Sequence, residues 1–284
     1  MPELPEAETI ARTLSPMVAG RRITQVEVLL PRVVHPLSLP LAALCGRRIA
    51  KTGRRGKLVL LMLEAEKDME HTAAPCTEQP DMLAVHLRMT GRLFVYPAGQ
   101  SAGKHTRAIF TLDDGHKLFF DDARTFGLLF LGTEALRQRW PFWRTLGAEP
   151  LLLQGSALYA AVHARRAAIK AVLLDQKVLA GVGNIYADES LFRASIDPRR
   201  PAASLSQQEC RTLLACLHEV LQESIAQCGS SIRDYRDAHG DAGAFQNSFH
   251  VYGRGGQPCH SCGCVLERCT VAGRGTVFCP HCQH

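Results

Sequence analysis

The stretch CHSCGCVLERCTVAGRGTVFCPHC, residues 259–282, contains two C-x-x-C pairs with sixteen residues between them. Cys259 and Cys262 form the first pair, and Cys279 and Cys282 form the second. Each pair places two sulfurs on the same side of a tight turn, and Zn²⁺ prefers four tetrahedral ligands of this soft type. The spacing therefore predicts one structural zinc ion held by these four thiolates.

The segment that holds these pairs is too short to be stable without the metal. A tail of this length cannot bury enough apolar surface, so metal binding is expected to supply its folding free energy. Arg268 and Arg274 lie in the insert and Arg254 precedes it, and guanidinium groups on a metal-held segment suit phosphate. Cys264 and Cys269 break the pairing pattern, and we expect that they do not bind the metal.

Composition and charge limit the class of protein. The 11 cysteines are an odd number, which argues against a disulfide framework and for reduced thiols together with a metal site. A net charge of +6 weakly favours a polyanionic partner. No apolar run approaches the roughly 20 residues of a membrane span, and the acidic start MPELPEAE lacks an apolar signal segment. We therefore expect a cytoplasmic protein with no membrane contact.

The first half of the chain changes from a helical to a β pattern. Residues 3–19 place apolar side chains on one helical face, and Gly20 follows as a terminator. Short β-rich runs then alternate with turn residues, which predicts a β-sandwich or barrel. These runs are 23–30, 57–63, 82–88, 92–96, 107–112, 117–121 and 128–131. The polar stretch 64–81 predicts a surface loop.

The second half is helical up to the cysteine-rich tail. From about residue 133 the β character ends, and helical sequence covers 156–228. Its best-marked helix begins at Ser206, which forms a capping-box pattern with Glu209, and Gly229 follows as a stop. The order is an N-terminal helix, a β domain, a helical domain and the tail. The sequence therefore predicts an α+β multidomain protein.

A Gly-Val-Gly-Asn turn at 181–184 lies between two apolar helices of this helical domain. Glycines let backbone amides approach a phosphate closely, and Asn184 at the following helix start can add a side-chain donor. The same spacing also suits an ordinary turn between helices. Basic residues of the segment supply charge, namely Arg165, Arg166 and Lys170. The segment is therefore a candidate phosphate-binding surface.

Pro2 offers a distinct chemistry once the initiator Met1 is removed. Its secondary amine would then be the N-terminal amine of the chain. Because terminal amines titrate at about 8, a useful fraction is an unprotonated nucleophile at neutral pH. Glu3 beside it could act as a general acid or base, with Glu6 as an assistant. Residue types alone favour a plainer interpretation, because proline and acidic residues are common at the start of a helix.

Motifs along the whole chain resemble, in order, the formamidopyrimidine-DNA glycosylase family. They are MPELPEAET at 1–9, Lys57, HLRMTG at 86–91, RTFG at 124–127, AGVGNIYADE at 180–189, VYGRGGQPC at 251–259 and the four paired cysteines. The resemblance implies an N-terminal helix plus β-sandwich over 1–132, a helix-two-turn-helix domain over 133–249 and a C-terminal β-hairpin zinc finger over 250–284. It also implies a monomer that binds damaged double-stranded DNA and is nucleoid-associated when bound.

The resemblance also assigns catalytic roles. It makes Pro2 the Schiff-base nucleophile and Glu3 its proton donor. It gives Lys57 a phosphate contact and proton donation in β-elimination, and it gives Arg274 a role in δ-elimination. Without the resemblance, the sequence GRRGKLVLL at 53–61 favours a basic surface turn at Lys57.

Residues that reach into the base stack follow from the same resemblance. Extruding a base requires the gap to be filled, and Met89, Arg124 and Phe126 match the void-filling residues of the family. Taken singly, Met89 and Phe126 are the type of residue found in a core. His105 matches a DNA contact, and the stretch 233–249 corresponds to the loop that covers the everted base.

This chain departs from the family pattern at three positions beside the void-filling residues. Arg88 stands where glycine is usual, Ala123 replaces proline, and Thr125 replaces a second arginine. These departures could alter lesion preference or the choice of the opposite base.

The predicted function is a bifunctional glycosylase and abasic-site lyase of base excision repair that removes 8-oxoguanine and formamidopyrimidines from duplex DNA. No redox cofactor or catalytic metal is expected. An endonuclease VIII-like relative that prefers oxidised pyrimidines is one alternative, although the leucine in PELPE and the Met89, Arg124 and Phe126 set favour the purine branch. A non-catalytic zinc-finger protein that binds damaged DNA is another.

Overall fold

The computed structural model describes residues 2–64, 79–232 and 235–284. The chain forms two compact units: the first comprises residues 1–2, 6–144 and 231–243, and the second comprises residues 3–5, 145–230 and 244–284. Most of the predicted loop 64–81 and the start of the stretch 233–249 lie outside the described residues. Within the described ranges, no helix is long and apolar enough to cross a membrane.

The first unit combines most of helix α1 (Leu4–Val18) with two antiparallel sheets. Strands β1 (Ile23–Val28), β6 (Thr106–Leu112), β7 (Lys117–Asp122) and β5 (Gly91–Tyr96) lie side by side in that order in one sheet. Strands β2 (Ile49–Arg55), β3 (Leu58–Leu63), β4 (Met82–His86) and β8 (Leu128–Gly132) form the other in that order. Short helices α2 (Glu134–Arg139) and α3 (Pro141–Arg144) follow β8.

One apolar core joins the two sheets and α1. Ala7, Ile10 and Leu14 of α1 are buried together with inward side chains of both sheets, such as Phe110 and Val85. The two-residue period of a strand delivers these side chains to one face, and burying each large one contributes about 1.5–3 kcal/mol. The predicted N-terminal helix and β-sandwich are confirmed.

The sequence pattern did not predict strand β2. Its sequence IAKTGRR is mostly polar, and within the strand only Ile49 is buried. Because β2 lies at a sheet edge and pairs with β3, it needs little apolar surface of its own. The turn Gly56–Lys57 joins the two strands, and Gly56 has a φ of 56°, as a type II′ turn requires at its first central residue.

The second unit contains a helical core. Its longer helices are α4 (Gly155–His163), α5 (Ile169–Leu174), α6 (Asn184–Arg193) and α7 (Gln207–Ala226). Helix α7 begins with the predicted capping box: Glu209 N donates to Ser206 Oγ at 3.2 Å, and Ser206 N donates to Glu209 Oε2 at 2.7 Å. Apolar residues of α7 at helical spacing, such as Leu213 and Leu217, are buried against the other helices. The predicted helical domain is confirmed.

A β-hairpin follows the helices in the same unit. Strands β9 (Glu267–Val271) and β10 (Arg274–Phe278) pair antiparallel, and Ala272 and Gly273 form the turn with φ values of 50° and 70°. Positive φ at both central residues is the mark of a type I′ turn. The small apolar cluster beside it consists of Phe192, Val251, Cys259, Leu266, Val277 and Cys279. So small a cluster agrees with the expectation that a bound metal supplies much of the folding free energy.

Candidate active site

The carboxyl group of Glu3 lies at the start of helix α6. Glu3 is buried, and its Oε1 accepts a hydrogen bond from Ile185 N at 3.2 Å. A Cβ at Gly183, directly before the helix, would collide with this carboxyl group, so the glycine permits the approach. The Gly-Val-Gly-Asn turn therefore holds the predicted proton donor, and Pro2, its neighbour in sequence, is also buried.

The backbone carbonyl of Gly275 accepts hydrogen bonds from two residues predicted to bind DNA. Asn184 Nδ2 donates at 2.9 Å and Lys170 Nζ donates at 3.1 Å. Gly275 follows Arg274 in β10, so these bonds fix the strand that carries Arg274 to helices α5 and α6. The Arg274 side chain is exposed. Three predicted site residues, Glu3, Asn184 and Lys170, thus lie around the start of α6, next to the strand that carries Arg274.

Lys170 belongs to a buried polar network that the sequence did not indicate. Its ammonium group lies 2.7 Å from Asp188 Oδ1 and donates to Thr276 Oγ1 at 2.6 Å, and the side chain is fully buried. Burial raises the pKa of Asp188 to about 6 against the opposing effect of Lys170, and it lowers the pKa of Lys170. The predicted contact of Lys170 with DNA stays a prediction.

The four paired cysteines of the hairpin segment form one cluster. The sulfurs of Cys259, Cys262, Cys279 and Cys282 all lie within 4.8 Å of one another. The distance is 4.0 Å between Cys259 and Cys282 and 3.5 Å between Cys262 and Cys279. A tetrahedral zinc ion with Zn–S bonds of about 2.3 Å separates its sulfurs by roughly 3.8 Å. The four cysteines could therefore hold a metal ion of this size.

The two remaining cysteines of the tail have different surroundings. The sulfur of Cys264 lies within 4.8 Å of ligand atoms of Cys262 and His281. Cys269 is half-buried in β9, where burial raises the pKa of its thiol. Cys264 is therefore close to the four-cysteine cluster, and Cys269 lies on the strand beside it.

Lys57 is held in the hairpin turn between β2 and β3. The side chain is buried, although the bare sequence favoured a basic surface turn. Arg54 fixes the same turn, since its Nη1 donates to Gly56 O at 3.0 Å and its Nε donates to Glu8 Oε2 at 3.1 Å. Burial, with smaller contributions from Arg88 and Lys57, lowers the pKa of His86 to about 3. Lys57 is thus a positioned cation near a neutral histidine.

The carboxylate of Asp122 joins two loops, one with Met89 and the other with Arg124 and Phe126. Asp122, which is fully buried, accepts bonds from Thr90 Oγ1 at 2.5 Å, Arg124 N at 3.2 Å and Gly127 N at 2.7 Å. Met89 is 40% exposed and Phe126 is 56% exposed, which rules out the core interpretation for both. The Arg124 guanidinium lies 5.0 Å from the centre of the Phe126 ring.

Two of the three departures from the family pattern have left-handed backbones. Arg88 has a φ of 52° and Thr125 has a φ of 57°. Glycine adopts this region without strain, which explains why glycine is usual where Arg88 stands. Arg88 N donates to His86 Nδ1 at 3.1 Å, and Arg32 Nη2 donates to Thr125 Oγ1. Ala123 is exposed on the same loop as Thr125.

The other predicted DNA contacts belong to other segments of the chain. His105 is exposed, and its carbonyl accepts a bond from Asp122 N at 2.8 Å. Arg165 is half-buried and donates from Nη1 to Ala161 O at 3.1 Å. His105 belongs to the first unit and Arg165 to the second.

The described part of the predicted base-covering loop has an internal turn. Asp237 accepts bonds from His239 N at 3.0 Å and Asp241 N at 2.9 Å. Ala238 N donates to Thr13 Oγ1 of α1 at 3.3 Å, and Tyr235 is buried in the core of the first unit. In this structure the segment from Tyr235 to Gly243 therefore packs on α1.

Family comparisons cover most of the chain. Residues 1–129 match the formamidopyrimidine-DNA glycosylase N-terminal domain, and residues 146–236 match the formamidopyrimidine-DNA glycosylase H2TH domain. The chain belongs to the formamidopyrimidine-DNA glycosylase family. The family indicated by the sequence motifs is confirmed.

Individual members of the formamidopyrimidine-DNA glycosylase family match over the full length. The chain is 45% identical to the enzyme of Nitratidesulfovibrio vulgaris, with 100% of both proteins covered. The crystal structure of the MutM (Fpg) protein of Thermus thermophilus is similar at a TM-score of 0.85 and 41% identity, covering 99% of this chain and 98% of that one. A variant of Lactococcus lactis Fpg in complex with DNA containing Fapy-dG is similar at a TM-score of 0.86 and 32% identity, with 100% of both covered.

The sequence did not indicate the buried residues that hold these predicted site residues in place. The fold brings three such residues against predicted site residues, namely Asp122, Asp188 and Thr276. Their positions in the sequence form no motif. The aspartate pair in DDARTFG, residues 121–127, was the nearest hint, since one of two adjacent strand residues must point inward.

Proposed function

We propose that the protein is a bifunctional DNA glycosylase and abasic-site lyase that excises oxidised purines from duplex DNA as a monomer. The observation that carries the proposal is the placement of the Glu3 carboxyl group against the start of α6, directly after Pro2. In the family to which the chain belongs, this pair comprises a nucleophile and its proton donor. The Lactococcus lactis relative in complex with Fapy-dG DNA supports the lesion class.

The reaction follows from the chemistry of a free proline amine once Met1 has been removed. The Pro2 nitrogen attacks the anomeric carbon C1′, its bond to C1′ forms, and the C1′–N9 bond to the base breaks with protonation of the leaving purine. Glu3 protonates the ring oxygen O4′, so that the sugar opens and an iminium remains. The iminium acidifies the proton on C2′, and its loss expels the 3′ phosphate.

Strand cleavage continues on the same intermediate. A second elimination expels the 5′ phosphate, after which water releases the sugar fragment from Pro2. Lys57 is proposed to donate a proton and contact a phosphate during the first elimination, and Arg274 is proposed to bind the cleaved phosphate during the second. A buried turn position for Lys57 and an exposed strand start for Arg274 are consistent with these roles.

Base extrusion is assigned to the two loops that Asp122 joins. The exposed apolar side chains Met89 and Phe126 are proposed to fill the gap in the stack, because an apolar wedge replaces lost stacking contacts. Arg124 is proposed to bond the orphaned partner base, since a guanidinium offers several donors in a fixed plane. His105, Arg165, Asn184 and Lys170 are proposed to contribute to phosphate binding, Lys170 through the hairpin that it holds.

One zinc ion is proposed to be held by Cys259, Cys262, Cys279 and Cys282. The sulfur separations fit a tetrahedral zinc–thiolate site, and the surrounding apolar cluster is small. Zinc bound there supplies folding free energy to the hairpin and takes no part in the bond changes. We also propose the division into residues 1–132, 133–249 and 250–284 as the three functional domains.

Borohydride trapping tests the nucleophile. The reagent reduces the iminium to a stable protein–DNA bond, so the wild-type chain is expected to form a covalent adduct with an 8-oxoguanine duplex and Pro2→Gly to form far less. Pro97→Gly, a proline substitution in a loop of the first unit, is the matched control and should trap normally. Unchanged trapping by Pro2→Gly would refute Pro2 as the nucleophile.

Two substrate comparisons test the remaining assignments. Lys57→Ala should slow cleavage at a preformed abasic site, because the proposed proton donor is lost. It should slow base removal more, because loss of the proposed phosphate contact also misplaces the damaged nucleotide for attack by Pro2. Lys51→Ala on the exposed face of β2 should affect neither. Matched duplexes with 8-oxoguanine and thymine glycol separate the purine enzyme from an endonuclease VIII-like one. Tight binding without scission of either duplex would indicate a non-catalytic damage binder.

A further inference from the structure

We propose that Arg32 binds a backbone phosphate of the damaged duplex and supplies the guanidinium group that the loop 123–127 lacks at Thr125. The proposal rests on the proposed function, because it concerns the DNA surface of the same site. Arg32 lies outside every sequence motif described above. The chemical class of the ligand is a phosphodiester of duplex DNA.

The main chain on both sides of Arg32 is fixed next to that loop. Arg32 lies in a short 3₁₀ turn, Pro31–Val33. Val34 forms a parallel bridge with Leu129, and His35 N donates to Leu129 O at 2.8 Å. Leu129 belongs to β8, which begins directly after the loop.

A second set of bonds fixes the residues before Arg32. Leu29 N and Leu30 N donate to Arg107 O at 2.9 and 3.2 Å. Arg107 Nε in turn donates to Asp122 O at 2.8 Å. Because Asp122 also anchors the loop, Arg32 and the loop are attached to one framework.

The side-chain contact completes this placement. Arg32 Nη2 donates to the hydroxyl group of Thr125, which holds the guanidinium beside the residue that replaces the second arginine of the family pattern. Both Arg32 and Arg124 are exposed, and Arg124 lies over the ring of the exposed Phe126. Two guanidinium groups therefore face solvent at the loop 123–127.

The charge of Arg32 has no counter-ion in the described part of the chain. Among those residues, no carboxylate lies within ion-pair distance of Arg32, whereas Arg12 and Arg21 pair with Glu8 and Asp114. A guanidinium has five N–H donors, and the bond to Thr125 uses one of them. Arginine forks of this kind fit phosphate oxygens, and a fixed main chain lowers the entropy lost on binding.

The salt dependence of DNA binding tests the proposal, because each phosphate contact releases counter-ions. The probe is a duplex with a tetrahydrofuran abasic analogue opposite cytosine, and its Kd is measured by fluorescence anisotropy over a series of KCl concentrations. Arg32→Ala is expected to weaken binding several-fold and to reduce the slope of log Kd against log salt by about 1. The double variant Arg32→Ala/Thr125→Arg should restore both the slope and the affinity.

Two further variants separate a phosphate contact from a purely structural role. Thr125→Val removes the hydroxyl and keeps the charge of Arg32, so the slope should stay as in the wild type. Arg21→Ala removes an ion-paired arginine of the same unit and should also leave the slope unchanged.

Two results would overturn the proposal: an unchanged slope in Arg32→Ala, even with weaker binding, or failure of the double variant to restore the slope. Excision of 8-oxoguanine by the wild type is measured in parallel. Its absence would count against the proposed function and would leave the slope as a separate result.

Discussion

The buried carboxylate of Asp122 accepts the hydroxyl hydrogen bond of Thr90 at 2.5 Å and thereby joins two loops that lie 32 residues apart in the chain. The same carboxylate accepts backbone bonds from Arg124 and Gly127. Its two oxygens share these donors, since Thr90 and Arg124 bond to Oδ1 and Gly127 bonds to Oδ2. An amide of the same shape has one acceptor oxygen and an NH₂ group that can only donate, so it cannot accept on both sides. The exposed Met89 and Phe126 side chains are therefore presented by a framework that is set before DNA binds.

Asp122→Asn is expected to loosen this framework. Losing hydrogen bonds to a buried charged group costs about 1.5–3 kcal/mol each, so base removal should fall by about tenfold or more. Cleavage at a preformed abasic site should fall less, because that substrate has no base to extrude. Single-turnover assays on both substrates measure the two effects.

The matched control for this prediction is Asp121→Asn, which changes the adjacent carboxylate of β7. It should leave the ratio of the two rates as in the wild type. Equal loss on both substrates in Asp122→Asn would show a general defect of folding and would contradict a role in base extrusion.

Gly183→Ala is expected to displace the proton donor. An added Cβ would meet the Glu3 carboxyl group, and Glu3 would lose its bond to Ile185 N. Removal of a positioned general acid lowers a rate by about 10²–10⁴-fold, and a displaced one should cost about tenfold or more. Gly103→Ala is the control, since its Cβ would make only ordinary contact with Thr106 at 3.7 Å. A normal rate for Gly183→Ala would contradict the placement of Glu3.

The sequence predicted the elements whose signal is local. Apolar periodicity indicated α1 and the β-sandwich, the Ser206–Glu209 capping box marked the start of α7, and the C-x-x-C spacing marked the cysteine cluster. The sequence did not indicate strand β2, because an edge strand with polar residues shows no alternation of apolar and polar side chains. The motifs also gave the family, from which the roles of Pro2 and Glu3 follow.

The missed parts of the site depend on contacts between distant segments. Asp188 meets Lys170 because α5 and α6 pack together, and Asp122 meets Thr90 because strands β5 and β7 pair. Nothing in the spacing of these residues distinguishes them from solvated charges. Only the three-dimensional structure shows that Lys170 is buried and Met89 exposed, the reverse of what their side-chain types suggest.

Asp188→Asn is expected to destabilise the second unit. The substitution leaves the ammonium of Lys170 buried without its counter-charge, and breaking a buried ion pair in this way costs about 3–5 kcal/mol. Combining it with Lys170→Met should recover most of this loss, because no buried charge then remains. Urea unfolding of the wild type, the single variant and the double variant measures the effect. A stable single variant would show that the pair contributes little.

Metal removal is expected to unfold the hairpin segment. A chelator should release one zinc ion per chain, and DNA binding should be lost and then recovered when Zn²⁺ is restored. Cys279→Ser should lower the zinc content, whereas Cys269→Ser, which lies outside the four-cysteine cluster, should keep it. Metal analysis and anisotropy with the abasic-analogue duplex follow the two quantities. Full DNA binding by a metal-free chain would contradict the structural role of zinc.

His86 should make the first unit sensitive to acid. Burial lowers the pKa of its imidazole from the ordinary 6.5 to about 3 in the folded chain, with Arg88 and Lys57 adding to the effect. Between these two values the unfolded chain binds a proton that the folded chain does not, so the free energy of unfolding falls as the pH falls below 6.5. The slope for one such group is about 1.4 kcal/mol per pH unit.

The variant His86→Gln removes this titration and keeps a polar side chain against Arg88 N. Protonation of the zinc thiolates and other groups affects both proteins, so the difference between them isolates His86. Relative to its value at about pH 7, the wild type should lose about 2 kcal/mol more stability than the variant on going to about pH 5. Urea unfolding at the two pH values measures this difference. Parallel pH profiles would mean that the His86 ring is protonated as readily in the folded chain as in the unfolded one, which would contradict the effect of its burial and of the Arg88 and Lys57 charges.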